Sequence, residues 1–287
     1  MAGSSSMTAV PGLMRQLARR RSVLVALVCF VAIVAACFLL PALDVTDVGG
    51  MSVRNRLSAP GENGYLFGAD AFGRDVLGRL LVAGQVSLGI GLGVSVLSSV
   101  AGIGIGLLAG FFKRLDTPLS RLIDALMAFP DILLALSLVA IFGGTMFNVI
   151  LALSIVYTPR IARIVRASTL VIRELPYVEA ARALGTRTPA IMATHVLPNI
   201  VSPILVQATF IFAYAMLAEA GLSFLGVGVD PDTPTWGIMV NEGRQYIDNA
   251  FFLILFPGFA IAIAVLSLQV VGDGLRDALD PKLAKET

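Results

Sequence analysis

One histidine and two cysteines are all that the sequence offers as imidazole or thiolate metal ligands. Cys29 and Cys37 share one apolar run, far from His195, so neither a disulfide framework nor a zinc or iron site is indicated. The lone imidazole among scattered serines makes no nucleophilic triad, which argues against an intramembrane enzyme. Charge is scarce too. Asp, Glu, Lys and Arg make up 14% of the residues, against about 25% in ordinary soluble domains. The net charge of +2 comes without a basic patch interleaved with aromatics, which argues against a nucleic-acid partner. No G-x4-G-K-[ST] phosphate loop occurs, so the chain does not bind ATP by that route.

What is present is apolar. Hydrophobic residues make up 57% of the chain and the mean hydropathy is +0.87, the composition of an integral membrane protein resting in a lipid bilayer. A Ser/Gly-rich tail, residues 1–22, ends in Arg19-Arg20-Arg21. The apolar run that follows, residues 23–43, is longer than a signal-peptide core and close to the ~20 residues that cross a bilayer, so it reads as an uncleaved first span. A polar segment, 44–81, separates it from a core of five further spans within 82–272. These are expected at about 82–112, 119–142, 147–165, 200–220 and 251–272, with a tail at 273–287. The second carries Gly89, Gly93, Gly102, Gly106 and Gly110, spaced so that another helix backbone can come close.

Lys and Arg set the expected orientation. With the N-terminus inside, sixteen of the 21 fall in cytoplasmic segments, and Arg54, Arg56, Arg74, Arg79 and Arg244 fall outside. Both termini are then cytoplasmic.

Residues 173–199 interrupt the apolar pattern. Arg173, Glu174, Glu179, Arg182 and Arg187 lie close together there, and at about 3 kcal/mol each they keep the stretch out of hydrocarbon. It is nevertheless built as a helix over about 174–186. Pro176 suits a first turn, Glu174 and Glu179 face the positive helix end, and Gly185 is a stop. Tyr177, Ala180, Ala181 and Leu184 recur at i, i+3, i+4, i+7 and predict one small apolar face. An interfacial helix lying on lipid is the alternative, but such helices carry bulky apolar anchors and Lys/Arg.

Glu179-Ala180-Ala181, Gly185 and Leu197-Pro198 resemble the EAA loop of ABC importer permeases, EAA-x3-G-x9-I-x-LP, with His195 in place of the isoleucine. FGADAFGRDVLGRL at 67–80, PTWG at 234–237 and GDGLRDALDPKL at 272–283 extend the resemblance. They point to the second permease of the dipeptide, oligopeptide and nickel branch. The resemblance implies an all-α, six-span type I ABC importer permease fold with a cytoplasmic coupling helix, in the bacterial cytoplasmic (inner) membrane. It further implies a homologous second permease as heterodimer partner, two ATPase subunits that bind ATP and Mg, and an extracytoplasmic substrate-binding protein. No cofactor belongs to this chain itself.

By the same resemblance and by their residue types, a few positions are candidates for function. Tyr177, Glu179, Ala180, Ala181, Leu184 and Gly185 would couple to the ATPase, Glu179 either by contacting its groove or by bracing the loop's own turn. Asp131, Gln207 and Glu219 would line the pathway. Asp124 and Asp131, seven apart, are expected on one helix face, with Asp131 either facing a peptide's amino group or pairing locally after Pro130. Glu219 is expected near the outer end, where ionisation costs little. Arg74, Asp75 and Trp236 would meet an outside partner. His195 is either structural or a pH switch. An ion-gradient transporter is the alternative reading, weakened by the lack of a convincing internal repeat. Within the same branch, nickel chelates, glutathione and haem are alternative cargoes.

Overall fold

The computed structural model describes residues 20–43 and 50–279, and among them every apolar run is helical. In chain order the helices are α1 (Arg21–Ala42), α2 (Val76–Phe111), α3 (Lys113–Met127), α4 (Asp131–Phe142), α5 (Met146–Ile172), α6 (Pro176–Ala183), α7 (Thr188–Phe224), α8 (Trp236–Gly243) and α9 (Phe252–Leu279). Among the described residues, five of these, α1, α2, α5, α7 and α9, are individually long and apolar enough to cross a membrane. α9 runs on into the tail expected at 273–287.

The glycine stripe of α2 sets the packing. A Cβ on Gly102 would lie 2.7 Å from the Ile161 Cβ, one on Gly106 2.6 Å from the Val165 Cβ, and one on Gly110 2.6 Å from the Thr169 Cβ. Both rows advance four residues at a time, so a ridge of α5 lies in a groove that α2 leaves by having no side chains there. Gly89 and Gly93 continue the contact less closely: a Cβ on Gly89 would lie 3.4 Å from Met146, and one on Gly93 3.2 Å from Ile150, still tight.

These pairings rise together in number, so α2 and α5 run parallel. The chain leaving Phe111 must therefore cross back before it reaches Met146. α3 and α4 make that crossing, and they make it bent by 93°. This corrects the straight span expected at 119–142. Pro130 has no N–H to give and pushes Phe129 out of helical geometry. α4 alone, twelve residues and about 18 Å, cannot cover a ~30 Å hydrocarbon layer. Asp124 and Asp131 consequently lie on two different helices and do not share a face.

α7 opens with one α-helical turn, Thr188–Ile191, and passes through a π-helical turn, Met192–Val196, before its main length Leu197–Phe224. The Leu197 N–H reaches back to the Met192 carbonyl. Pro198 is the cause, since its ring displaces the carbonyl four residues earlier and supplies no N–H. At the other end of the molecule α8 wedges between α2, α7 and α9. Its Trp236 is buried, the indole N–H donates to the Leu80 carbonyl at 2.9 Å, and the backbone N–H donates to Ser87 Oγ at 3.1 Å.

Gly106→Leu is expected to destabilise the protein by about 1–3 kcal/mol, since the new side chain meets Val165 and the Ala162 carbonyl. Gly104→Leu, on the open side of the same helix, should be neutral. Thermal unfolding of the detergent-purified protein compares the two.

Candidate coupling helix and intramembrane polar sites

α6 is fixed at both ends by local chemistry. Pro176 opens it, where a missing N–H costs nothing. Gly185 closes it at φ +79°, with its N–H donating to the Arg182 carbonyl and the Thr186 N–H to the Ala181 carbonyl, both at 3.0 Å. That is a Schellman stop. A Cβ at Gly185 would meet nothing within 4 Å, so glycine is required there for its backbone angle and not for room.

The helix turns inward a face that the spacing did not single out. Val178 is fully buried, with Leu175 and Ala181 packed against the same core. Ala181 therefore leaves the apolar face read from spacing and joins the interior. Tyr177, Ala180 and Leu184 remain outside, Leu184 at 86% exposure. The pair Leu175 and Val178, three apart, is the sequence signal that would have identified the inner face.

Glu179 is exposed, and among the described residues its side chain has no hydrogen-bond or ion-pair partner. It braces no turn here. Arg173 does that work instead. Its Nη1 donates to the Gly110 carbonyl at 2.6 Å and its Nε to Glu174 at 2.9 Å, tying the segment to the end of α2. Arg182 lies over the Phe111 ring at 5.5 Å. His195, in the π turn, sits 6.0 Å from Tyr177 between ring centroids.

The pathway candidates separate. Asp131 is ion-paired to Arg160, a residue that no pattern in the sequence singles out. Asp124 pairs with Arg163 at 2.8 Å and Asp116 with Arg166 at 2.6 Å. The three arginines lie three residues apart on α5 and strap the bent crossing to it. Gln207 borders a groove of about 410 Å³ between α5, α7 and α9. The expected position of Glu219 near water is corrected: the residue is fully buried. It accepts from Ser223 Oγ at 2.7 Å and Ser87 Oγ at 3.3 Å, because α8 closes over that end of α7.

The outside candidates are largely spoken for within the chain. Asp75 caps α2, accepting from the Leu77 N–H at 3.2 Å and the Gly78 N–H at 3.0 Å. Trp236, the first residue of α8, is buried against α2 and so presents no external surface. Arg74 donates to Asp70 at 2.6 Å, and Arg79 joins Asp70 at 2.8 Å to Glu242 at 2.7 Å. Asp70, Arg79 and Glu242 form a network across 163 residues of sequence, a pairing that no local pattern announces.

Comparison with known proteins identifies the scaffold. The family model described as binding-protein-dependent transport system inner membrane component matches residues 102–285. A putative peptide transport system permease protein of Brucella suis is 50% identical, covering 95% of this chain and 92% of its own length. A dipeptide transport system permease protein of Alkalihalophilus pseudofirmus is 38% identical over 94% and 88% of the two chains. A glutathione transport system permease protein of Escherichia coli is 40% identical over 76% and 73%. Among solved structures, a chain of the inward-facing MetNI methionine ABC transporter superposes with TM-score 0.57 at 20% identity, covering 70% of this chain and 97% of its own, which shows the shared fold. The chain belongs to the inner-membrane components of binding-protein-dependent transport systems.

Proposed function

We propose that this chain is one of two homologous permeases of an ATP-driven importer of di- and oligopeptides. The observation that carries the reading is α6, a short helix locked to the fold on one side and left bare on the other. Leu184 and the unpartnered Glu179 stand on that bare side. An exposed leucine beside a free carboxylate suits a groove on a second protein better than water or lipid. The Lys/Arg asymmetry supports a cytoplasmic position for α6 and both termini, within reach of ATPase subunits that bind ATP and Mg. The peptide class is supported by the relatives named for peptide and dipeptide transport. The substrate-binding protein is supported by the family membership, and the non-identical partner permease is part of the same proposal.

The ATP-driven cycle is the one that the resemblance to ABC importers implies, and this chain's residues supply its mechanical linkage. When the ATPases close on ATP, each carries a docked α6 with it. Because Val178 is sunk in the core and the Schellman turn holds the helix end, α6 does not swivel freely, and its displacement passes into α5 and α7. Arg173 carries part of it into α2 through the Gly110 carbonyl. The cavity between the two permeases then changes its access.

Leu184→Asp should lower binding-protein-dependent uptake about tenfold or more, since a carboxylate placed in an apolar groove costs more than the ~1.4 kcal/mol that tenfold represents. Glu179→Ala should weaken recovery of the ATPase with the permease. Gly185→Val forces a branched side chain to positive φ at about 1–3 kcal/mol and should uncouple hydrolysis from uptake. All three should leave the amount of protein in the membrane unchanged. Uptake equal to the parent's would remove the coupling role.

Energy source separates this reading from an ion-driven carrier. Uptake of a labelled dipeptide into proteoliposomes should require internal ATP, the ATPases and the binding protein, and should persist when a protonophore collapses the proton gradient. Uptake by the purified chain alone, driven by that gradient, would establish the other class.

A further inference from the structure

Two charges halfway along the molecule are paired but not sealed. Asp131 opens α4 directly after the Pro130 break, and its carboxylate accepts from Arg160 near the middle of α5. The Asp131 side chain is 41% exposed and that of Arg160 31%. A second set of contacts holds the arginine independently. Its Cζ lies 5.3 Å from the Tyr157 ring centroid and 5.4 Å from that of Tyr214 on α7. The Tyr157 hydroxyl reaches the Tyr214 carbonyl at 3.4 Å, so the two rings form one frame. Tyr157 is buried and Tyr214 is partly open.

A lone charge at such a depth costs several kcal/mol, and pairing relieves it. A pair serving only as a strap would be best closed to competitors. This one is open, and its cation keeps both aromatic contacts when the carboxylate lets go.

We propose that Arg160, Asp131 and Tyr214 form an exchange site for the zwitterionic ends of the peptide cargo, a site that rests on the peptide-import reading above and assigns part of its selectivity to this chain. The peptide carboxylate takes Arg160 and the peptide ammonium takes Asp131. One ion pair becomes two, and no charge is left bare. A simple anion could take Arg160 only by stranding Asp131, and a simple cation would strand Arg160, so the resting pair rejects both. The two ends of an extended dipeptide lie within about 7 Å of each other, which lets one molecule engage both groups. The other arginines on this face, Arg163 and Arg166, are paired to Asp124 and Asp116 and lack the tyrosine frame.

The test uses the complete importer in proteoliposomes, with binding protein saturated by dialanine, by its C-terminal amide or by its N-acetyl form. The parent should prefer the free dipeptide to both capped forms. Arg160→Gln should reduce the free-to-amide preference about tenfold and keep the free-to-acetyl preference; Asp131→Asn should do the reverse. Asp131→Asn is nearly isosteric, so its two preference ratios decide the matter even if Arg160→Gln fails to assemble. If the variants slow all three peptides alike, the pair is a strap and the proposal falls. It falls too if the parent does not discriminate. Absence of any dipeptide uptake by the parent would overturn the peptide reading, and this site with it.

Discussion

The close parallel contact between α2 and α5 constrains everything else. Three glycines on α2 bring the two backbones together along one side, and the pairing order makes both helices point the same way. Parallel neighbours cannot be joined by a short turn, so a return crossing is forced, and α3 with α4 provides it. The same contact delivers the end of α5 beside the end of α2, where Arg173 can reach the Gly110 carbonyl. α6 starts immediately after that anchor. Its location is therefore a consequence of a glycine stripe lying more than sixty residues earlier in the chain.

Charge is the second constraint, and it explains the form of the crossing. A straight crossing at 119–142 would carry Asp124 and Asp131 through hydrocarbon at a cost that few spans tolerate. The break at Pro130 instead turns α4 by 93° from α3, and each carboxylate meets an arginine of α5. Spacing the arginines three apart advances them about 4.5 Å per step along the helix. Three pairs thus cover a short length of α5 and leave the remainder of the crossing to the apolar α4.

Much of this was legible in the sequence, and the failures share a cause. The apolar runs, the polar interruption, Pro176 and Gly185 are local signals, each decided within a few residues, and the structure has helices and a Schellman stop at those places. The bend at Pro130 was visible as a proline but lost inside an apolar run, because hydropathy averages over a window and does not register a missing N–H. Val178 escaped because the spacing rule found the bare face and named it as the apolar one; on so short a helix both faces satisfy i, i+3. Glu219 and Trp236 were misplaced because α8 folds back over α2 and α7, a contact between distant segments. Arg160 was counted among the cytoplasmic residues, whereas it lies near the middle of α5, and nothing near it in sequence reveals Asp131 or Tyr214.

α6 and the Arg160 site are linked through the elements that bear them. α5 carries Tyr157 and Arg160 and leads into α6; α7 carries Tyr214 and leads out of it; α4 brings Asp131. In the proposed importer, a displacement of α6 cannot shift α5 against α7 without changing the distance between the two rings that frame the guanidinium. Cation–π attraction falls quickly once the cation leaves a ring face, and an intramembrane ion pair is sensitive to small separations in a low dielectric. In that proposal the rings hold the guanidinium throughout, and a shift of α5 against α7 alters how firmly Arg160 and Asp131 stay together when a zwitterion competes for them. ATP-driven motion and cargo release then act on one set of contacts, and neither requires a signal to travel beyond the two helices that flank α6.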